Sequence, residues 1–300
     1  MNRKEFGELL STLRQDLDWT QFQLSEYSDV DEAVISQIER GVKKFFEPGL
    51  LFCLANALQL TTLERREFFL AASGLDQKQI VRQVSAATTT DVFNVRRALD
   101  KMIELTGQVR LPAFLCDVYS DVIATNKIIL SFFKVPPAFL DGADQVPGGY
   151  NTARFNFGKD LLARNYVVDN WDSYALNSMR AFRENSLRYR AKPYFKYLMK
   201  IFRNPIEYPL FNRYWKMVSS VEQDKEANAD YFSFHHNEFG DIKYTSSSTV
   251  SITSFGELFL VQYLPLDVRT SQIFEELTQQ AGPGVIQFAP WPVKTFPRPA

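Results

Sequence analysis

The feature that most constrains this chain is a succession of short helical patterns, each closed by its own cap, packed into residues 3–72. Glu5-Phe6, Leu9-Leu10 and Leu13 fall at helical spacing. Asp18-Trp19-Thr20 breaks that pattern, and Thr20 is placed to cap a second helix, Gln21 to Tyr27. Ser28-Asp29-Val30-Asp31 reads as a short turn. Asp31 then caps a third helix, Glu32 to Arg40, which stops at Gly41. Pro48 opens a fourth, Gly49 to Leu58, and a fifth runs from about Thr62 to Ala72. A helix, a turn of three or four residues and a second helix can set one helix against a flat or grooved partner.

The rest of the chain follows a different pattern. At 300 residues it has room for two domains. Residues 73–90 are small and polar and read as a linker. A helix over Phe93 to Thr106 leads to two strands, Leu111 to Asp117 and Asp121 to Asn126, around a Tyr119-Ser120 turn. A helical stretch, about Asn151 to Ser220, breaks at Asp169-Asn170, Lys192-Pro193 and Asn204-Pro205. Strands return at Tyr231 to His236, Asp241 to Ile252 and Glu257 to Leu264, the first two joined by a turn over Asn237 to Gly240. Five prolines in residues 282–300 predict an extended or disordered tail. The expected class is therefore α+β: an all-helical unit, then an antiparallel sheet with helices.

Composition narrows the function classes. Hydrophobic residues make up 45% and charged residues 23%, which excludes collagen-like, largely disordered and disulfide-scaffold proteins. Cys53 and Cys116 lie far apart, as suits a reducing cytoplasm. The start, Met1 to Phe6, has no apolar signal core, and stretches such as Lys127 to Phe133 are too short to span a bilayer, so no membrane association is expected. No Gly-x-Gly-x-x-Gly, Gly-x-x-x-x-Gly-Lys or Gly-x-Ser-x-Gly motif suggests an enzyme. His235 and His236 are the only histidines and, as strand neighbours, point to opposite faces, so no metal site or cofactor is expected. Asp224, Glu226 and Asp230 read as a solvated acidic loop. There are 26 phenylalanines, enough for a heavily packed core or an apolar cavity.

Thr20 to Ser25, the turn, and Val34 to Gly41 together resemble the Cro/repressor (XRE-type) helix-turn-helix family over about 65 residues. The resemblance implies a lambda-repressor-like five-helix domain over residues 1–72, with Leu24, Val30, Ile35 and Ile38 in its core and Arg14 paired with Glu39. It also implies double-stranded DNA as partner. Glu32, Ala33, Ser36 and Gln37 would face base edges: Gln37 can pair with adenine and Ala33 can meet a thymine methyl. Gln21 would contact phosphate from a helix N-terminus, with Lys43 and Lys44 as phosphate cations. The unit is acidic, however, with eight cations against twelve anions over residues 1–72, a net of −4. That predicts modest, salt-sensitive affinity, and a homodimer on a palindromic operator would double the contacts.

Residues 91–281 resemble the ligand-binding domain of MmyB-like transcription regulators, with a PAS-type opening hairpin at Leu111 to Asn126. The landmarks are Asn151-x-x-Arg154-x-x-Phe157, Asn170-Trp171, Arg183, Phe211-x-x-x-Trp215-x-x-Val218 and His236-x-x-x-Gly240. Asn170, Tyr208 and Asn237 depart from the family pattern at an aspartate, a serine and a proline. The resemblance implies a fatty-acid-like ligand in an apolar cavity. Phe114, Phe132, Phe155, Phe157, Trp171, Phe211 and Trp215 are its candidate wall. Arg154 and Arg183 are candidate carboxylate partners, with Tyr166 and Tyr214 as neutral donors. Two other readings stay open: a protein-interaction regulator that does not bind DNA, and a small-molecule carrier.

Overall fold

The computed structural model describes residues 1–74, 95–160, 162–167, 171–220, 231–253, 255–294 and 296. Outside them lie most of the expected linker, Phe93 at the start of the next expected helix, Asn170, the acidic loop of Asp224, Glu226 and Asp230, and Pro297 and Pro299.

Five helices form the N-terminal bundle: α1 (Arg3–Gln15), α2 (Gln21–Ser28), α3 (Glu32–Glu39), α4 (Pro48–Ala57) and α5 (Thr62–Ser73). Local chemistry explains their starts. Asn2, Thr20 and Thr61 each accept from a backbone N–H three residues on, and Glu5, Gln23 and Glu64 return the bond. Asp29, at φ 54°, turns the chain out of α2, and Asp31 accepts from the Ala33 amide to begin α3. Phe6, Leu9, Leu24, Ile35, Ile38, Leu54 and Phe68 fill the interior. Gly7 lets α1 cross the end of α3, because a Cβ there would stand 2.4 Å from both Ile38 O and Glu39 O.

Beyond the bundle, α6 (Val95–Gln108) precedes β1 (Ala113–Asp117) and β2 (Val122–Asn126). Then come α7 (Lys127–Phe132), α8 (Pro137–Leu140), α9 (Thr152–Phe157), α10 (Leu162–Tyr166), α11 (Trp171–Ser186), α12 (Pro193–Phe202) and α13 (Phe211–Ser220). A short 3-10 turn, Leu187–Tyr189, links α11 to α12. The chain finishes through β3 (Phe232–His236), β4 (Gly240–Thr253), β5 (Gly256–Pro265), α14 (Val268–Ala281) and β6 (Val285–Gln287). The strands make one antiparallel sheet in the order β3-β4-β5-β1-β2-β6. The molecule is thus α+β.

The two-residue period of a strand gives the sheet two different faces. Ala113, Leu115, Leu258 and Leu260 pack with Met102 of α6 on one face. Phe114, Cys116, Phe259, Val261 and Tyr263 turn to the other. A separate helical core, with Phe157, Phe182, Phe195, Phe202, Phe211 and Trp215, joins α9 and α11–α13.

Bundle and sheet domain are joined by buried charge. Glu64 of α5, with none of its surface exposed, takes Arg183 Nε at 3.1 Å and Arg190 as well. Arg183 also donates to Trp215 O at 2.9 Å. Glu67 meets Arg188 at 2.7 Å, Thr61 donates to Glu184 at 2.7 Å, and Asp16 takes Arg203 at 2.8 Å. Leu187 is inserted into the apolar core of the bundle. Burial raises the pKa of Glu64, but the Arg190 and Arg183 charges outweigh it and hold the carboxyl below its ordinary value.

Two sequence expectations need correction here. Of the expected tail, residues 282–294 are not outlying: β6 pairs with β2, and Lys294 reaches Asp117 at 2.6 Å and Asp121 at 2.8 Å. The prolines did not prevent docking, because Pro283, Pro290 and Pro292 flank β6 and leave its own amides free to pair. Helix α14 was not anticipated. Its N-cap is Asp267, whose side chain accepts from the Thr270 amide.

Candidate functional site

The cavity face of the sheet bounds a hollow of about 550 Å³, the size of a small-ligand site. Its floor is made by alternate strand residues: Phe114 and Cys116 of β1, Tyr244, Ser246, Ser248 and Val250 of β4, and Phe259, Val261 and Tyr263 of β5. Ile129 of α7, Phe133, Phe139 of α8 and Phe155 of α9 add apolar wall. Tyr174, Ala181 and Glu184 of α11 stand opposite. Leu63 and Arg66 of α5 also line it, so the bundle itself forms one wall. Phe288, just after β6, closes another side.

Most of the lining is apolar, and its polar atoms are largely satisfied from within. The Tyr174 hydroxyl donates to Asn156 Oδ1 at 3.0 Å, and Asn156 Nδ2 donates to Ser178 Oγ at 3.3 Å. Burial pushes the Tyr174, Tyr244 and Tyr263 hydroxyls and the Cys116 thiol well up, so all four stay neutral. Burial also raises the Glu184 carboxyl.

The expected ligand residues divide. Phe114 and Phe155 line the cavity. Phe132 lies one layer behind it, fully buried and edge-on to Tyr244 at 5.4 Å. Arg154 does not reach in. It covers the Phe139 ring at 4.0 Å and donates to Phe139 O and Gly149 O at 3.0 and 3.1 Å, which braces a wall. Arg183 is taken by Glu64, so it is not free for a carboxylate. Phe157, Phe211 and Trp215 belong to the helical core, and Tyr166 packs at the edge of the core around α7 and α14. Trp171 and Tyr214 line a different, polar hollow of about 460 Å³ with Asp172 and Arg213. Tyr214 donates to Asp172 there. The physical reason is one of layers: helix-borne aromatics pack helix on helix, and the floor belongs to the strands.

Sequence reasoning missed Leu63, Arg66, Tyr174, Tyr244 and Tyr263. The strand residues had a usable signal, since Tyr244-x-Ser246-x-Ser248-x-Val250 and Phe259-x-Val261-x-Tyr263 alternate within predicted strands. Leu63 and Arg66 had none, because only tertiary packing brings α5 there.

On the bundle, α2 and α3 meet across the three-residue turn Asp29 to Asp31. Glu32, Ala33 and Gln37 are exposed on α3, Ser36 is half-buried, Lys44 is exposed and Lys43 half-buried. Arg14 holds Glu39 in a bidentate pair at 2.7 and 2.9 Å, nearly buried. Gln21 Nε2 donates to Glu39 Oε2 at 2.7 Å and completes that pair. His236 accepts at its turn, its Nδ1 receiving the Glu238 amide at 3.2 Å. Among the described residues no helix is long and apolar enough to cross a membrane, and no cluster of His, Cys, Asp and Glu is fit to hold a metal.

Residues 95–277 match the family model of the MmyB-like transcription regulator ligand-binding domain. The chain belongs to that family. The matched region carries the whole of α6 through β5 and most of α14, and so all of the cavity except the parts given by α5 and Phe288. Comparison with curated proteins finds no match. Membership makes this an MmyB-like, ligand-binding member of a transcription regulator family.

Proposed function

We propose that the protein is a DNA-binding transcription regulator whose MmyB-like domain senses a small apolar effector, a fatty acid or a similar molecule. The observation that carries this is the shared wall: the sheet cavity is completed by Leu63 and Arg66 of the N-terminal bundle. An occupant touches both units at once and can favour one bundle placement over another. The strand order, with β1 between β2 and β5, supports a PAS-like sensor. For DNA, the exposed Gln37, Ala33 and Glu32 would meet base edges, and Lys43 and Lys44 phosphates. Gln21 braces the recognition helix through Glu39, and its second amide N–H would be the phosphate contact. A homodimer would set two such helices on a palindromic operator. The chain would act in the cytoplasm without catalysis.

Gel-shift titrations of the full chain, with and without a long-chain acid, test the reading. Operator affinity should change at saturating acid and fall steeply with salt. No change at saturation removes the sensing function. A second reading, docking to a partner protein, is favoured by the net −4 of residues 1–72 and by exposed Phe22, Tyr27 and Phe45. Negligible DNA affinity at low salt would favour it.

A further inference from the structure

The polar atoms of the cavity carry more information about its occupant than the volume does. Tyr174, Asn156 and Asn151 use their polar groups within the protein. Two lining hydroxyls do not. Tyr244 Oη and Thr125 Oγ1 are buried and meet no hydrogen-bond partner among the described residues. A buried hydroxyl without a partner loses its water and gains nothing, so each such group in a native fold needs an explanation.

Tyr244 is the more constrained of the two. It is fully buried, its ring is stacked on Tyr263 at 4.5 Å, and Phe132 and Phe232 lie against it at 5.4 and 5.5 Å. The ring has no room to swing toward another acceptor. Phenylalanine would fill the same space, so packing does not account for the oxygen. Thr125 is a separate position, because β5 and β1 lie between its strand and that of Tyr244. Three strand spacings put them about 14 Å apart across the sheet.

Charge decides which group can stand at Tyr244. Among the described lining residues, Arg66 is the one basic side chain and Glu184 the one carboxylic acid, and both lie where the bundle meets the cavity. Around Tyr244 stand Tyr263, Tyr174, Phe132 and Phe232, with no cation among the described residues. A carboxylate placed there would be stripped of water and left without a counter-charge. A carbonyl or hydroxyl oxygen costs far less and can accept from Tyr244.

We propose that the effector is an oxygenated chain: an apolar body bearing a neutral carbonyl or hydroxyl oxygen that accepts a hydrogen bond from Tyr244 Oη on the sheet floor. This rests on the cavity being an effector site. Any acidic end then lies toward Arg66, away from the tyrosines.

Calorimetric titration of the full chain tests it. The probes are a saturated long-chain acid and acids of the same length bearing a hydroxyl or oxo group at successive carbons. At least one substituted acid should bind roughly five- to tenfold more tightly than the parent. Tyr244→Phe, which keeps the ring, should bring the substituted acid down to the affinity that the same variant shows for the parent acid. If no substitution improves binding, or if the advantage survives in Tyr244→Phe, the proposal is overturned while the effector site stands. If no chain binds, parent included, both fall.

Discussion

Replacing Glu64 by glutamine should separate the two halves of this molecule. The substitution keeps the shape and removes one charge. Glu64 is wholly buried and is shared by Arg183 and Arg190, which are 3% and 1% exposed. Without the carboxylate, two guanidinium groups remain buried side by side, with Asp16, already bonded to Arg203, as a more distant counter-charge. Breaking a buried pair by removing one partner costs about 3–5 kcal/mol. Two orphaned cations place Glu64→Gln toward the top of that range, softened by Arg183 keeping its bond to Trp215 O. Equilibrium urea unfolding of the full chain, followed by tryptophan fluorescence, reads the loss directly. A double-mutant cycle with Arg183→Met separates the pair from its surroundings: with the carboxylate already gone, removing Arg183 should cost less than it does in the wild type. A loss under about 1 kcal/mol for Glu64→Gln would refute the reasoning, since a bond solvated at the junction would behave that way.

Further outcomes follow from the same structure. Gly7→Ala drives a Cβ to within 2.4 Å of two carbonyl oxygens and should destabilise the bundle by roughly 2 kcal/mol or more, seen by circular dichroism as a clearly lower thermal midpoint. Asp117 shares Lys294 with Asp121 and is pushed up to about 6 by burial. A carboxyl raised on folding stabilises most when protonated, so its contribution is present below the ordinary aspartate range and fades as pH rises through about 6. Asp117→Asn should flatten that slope in thermal melts taken from pH 4 to 8. Val261→Trp should fill the cavity and abolish binding of a long-chain acid at a cost of about 1–3 kcal/mol in stability. Cys53 is exposed and Cys116 buried with its thiol pushed up, so a maleimide should label the first quickly and the second only on unfolding.

Much of this was legible from residues alone. Thr20 and Asp31 announced their helices because a side-chain oxygen at that position satisfies an end amide wherever it occurs. Strands β3, β4 and β5 were visible in their alternation. The site was less legible. Arg183 looked like a ligand-binding cation because sequence shows a basic residue among aromatics, not the glutamate 119 positions earlier that claims it. Residues 282–300 looked like a tail, because composition reports prolines but not the edge strand that stands between them. Each error concerns a contact between distant segments, which local spacing does not encode.

The account depends on the cavity communicating with α5. Hydrogen exchange of the full chain, with and without a saturating long-chain acid, measures this at Thr62 to Ser73. Protection there should change together with that of β4 and β5. A change confined to the strands, with α5 exchanging as before, would contradict the coupling of effector to bundle.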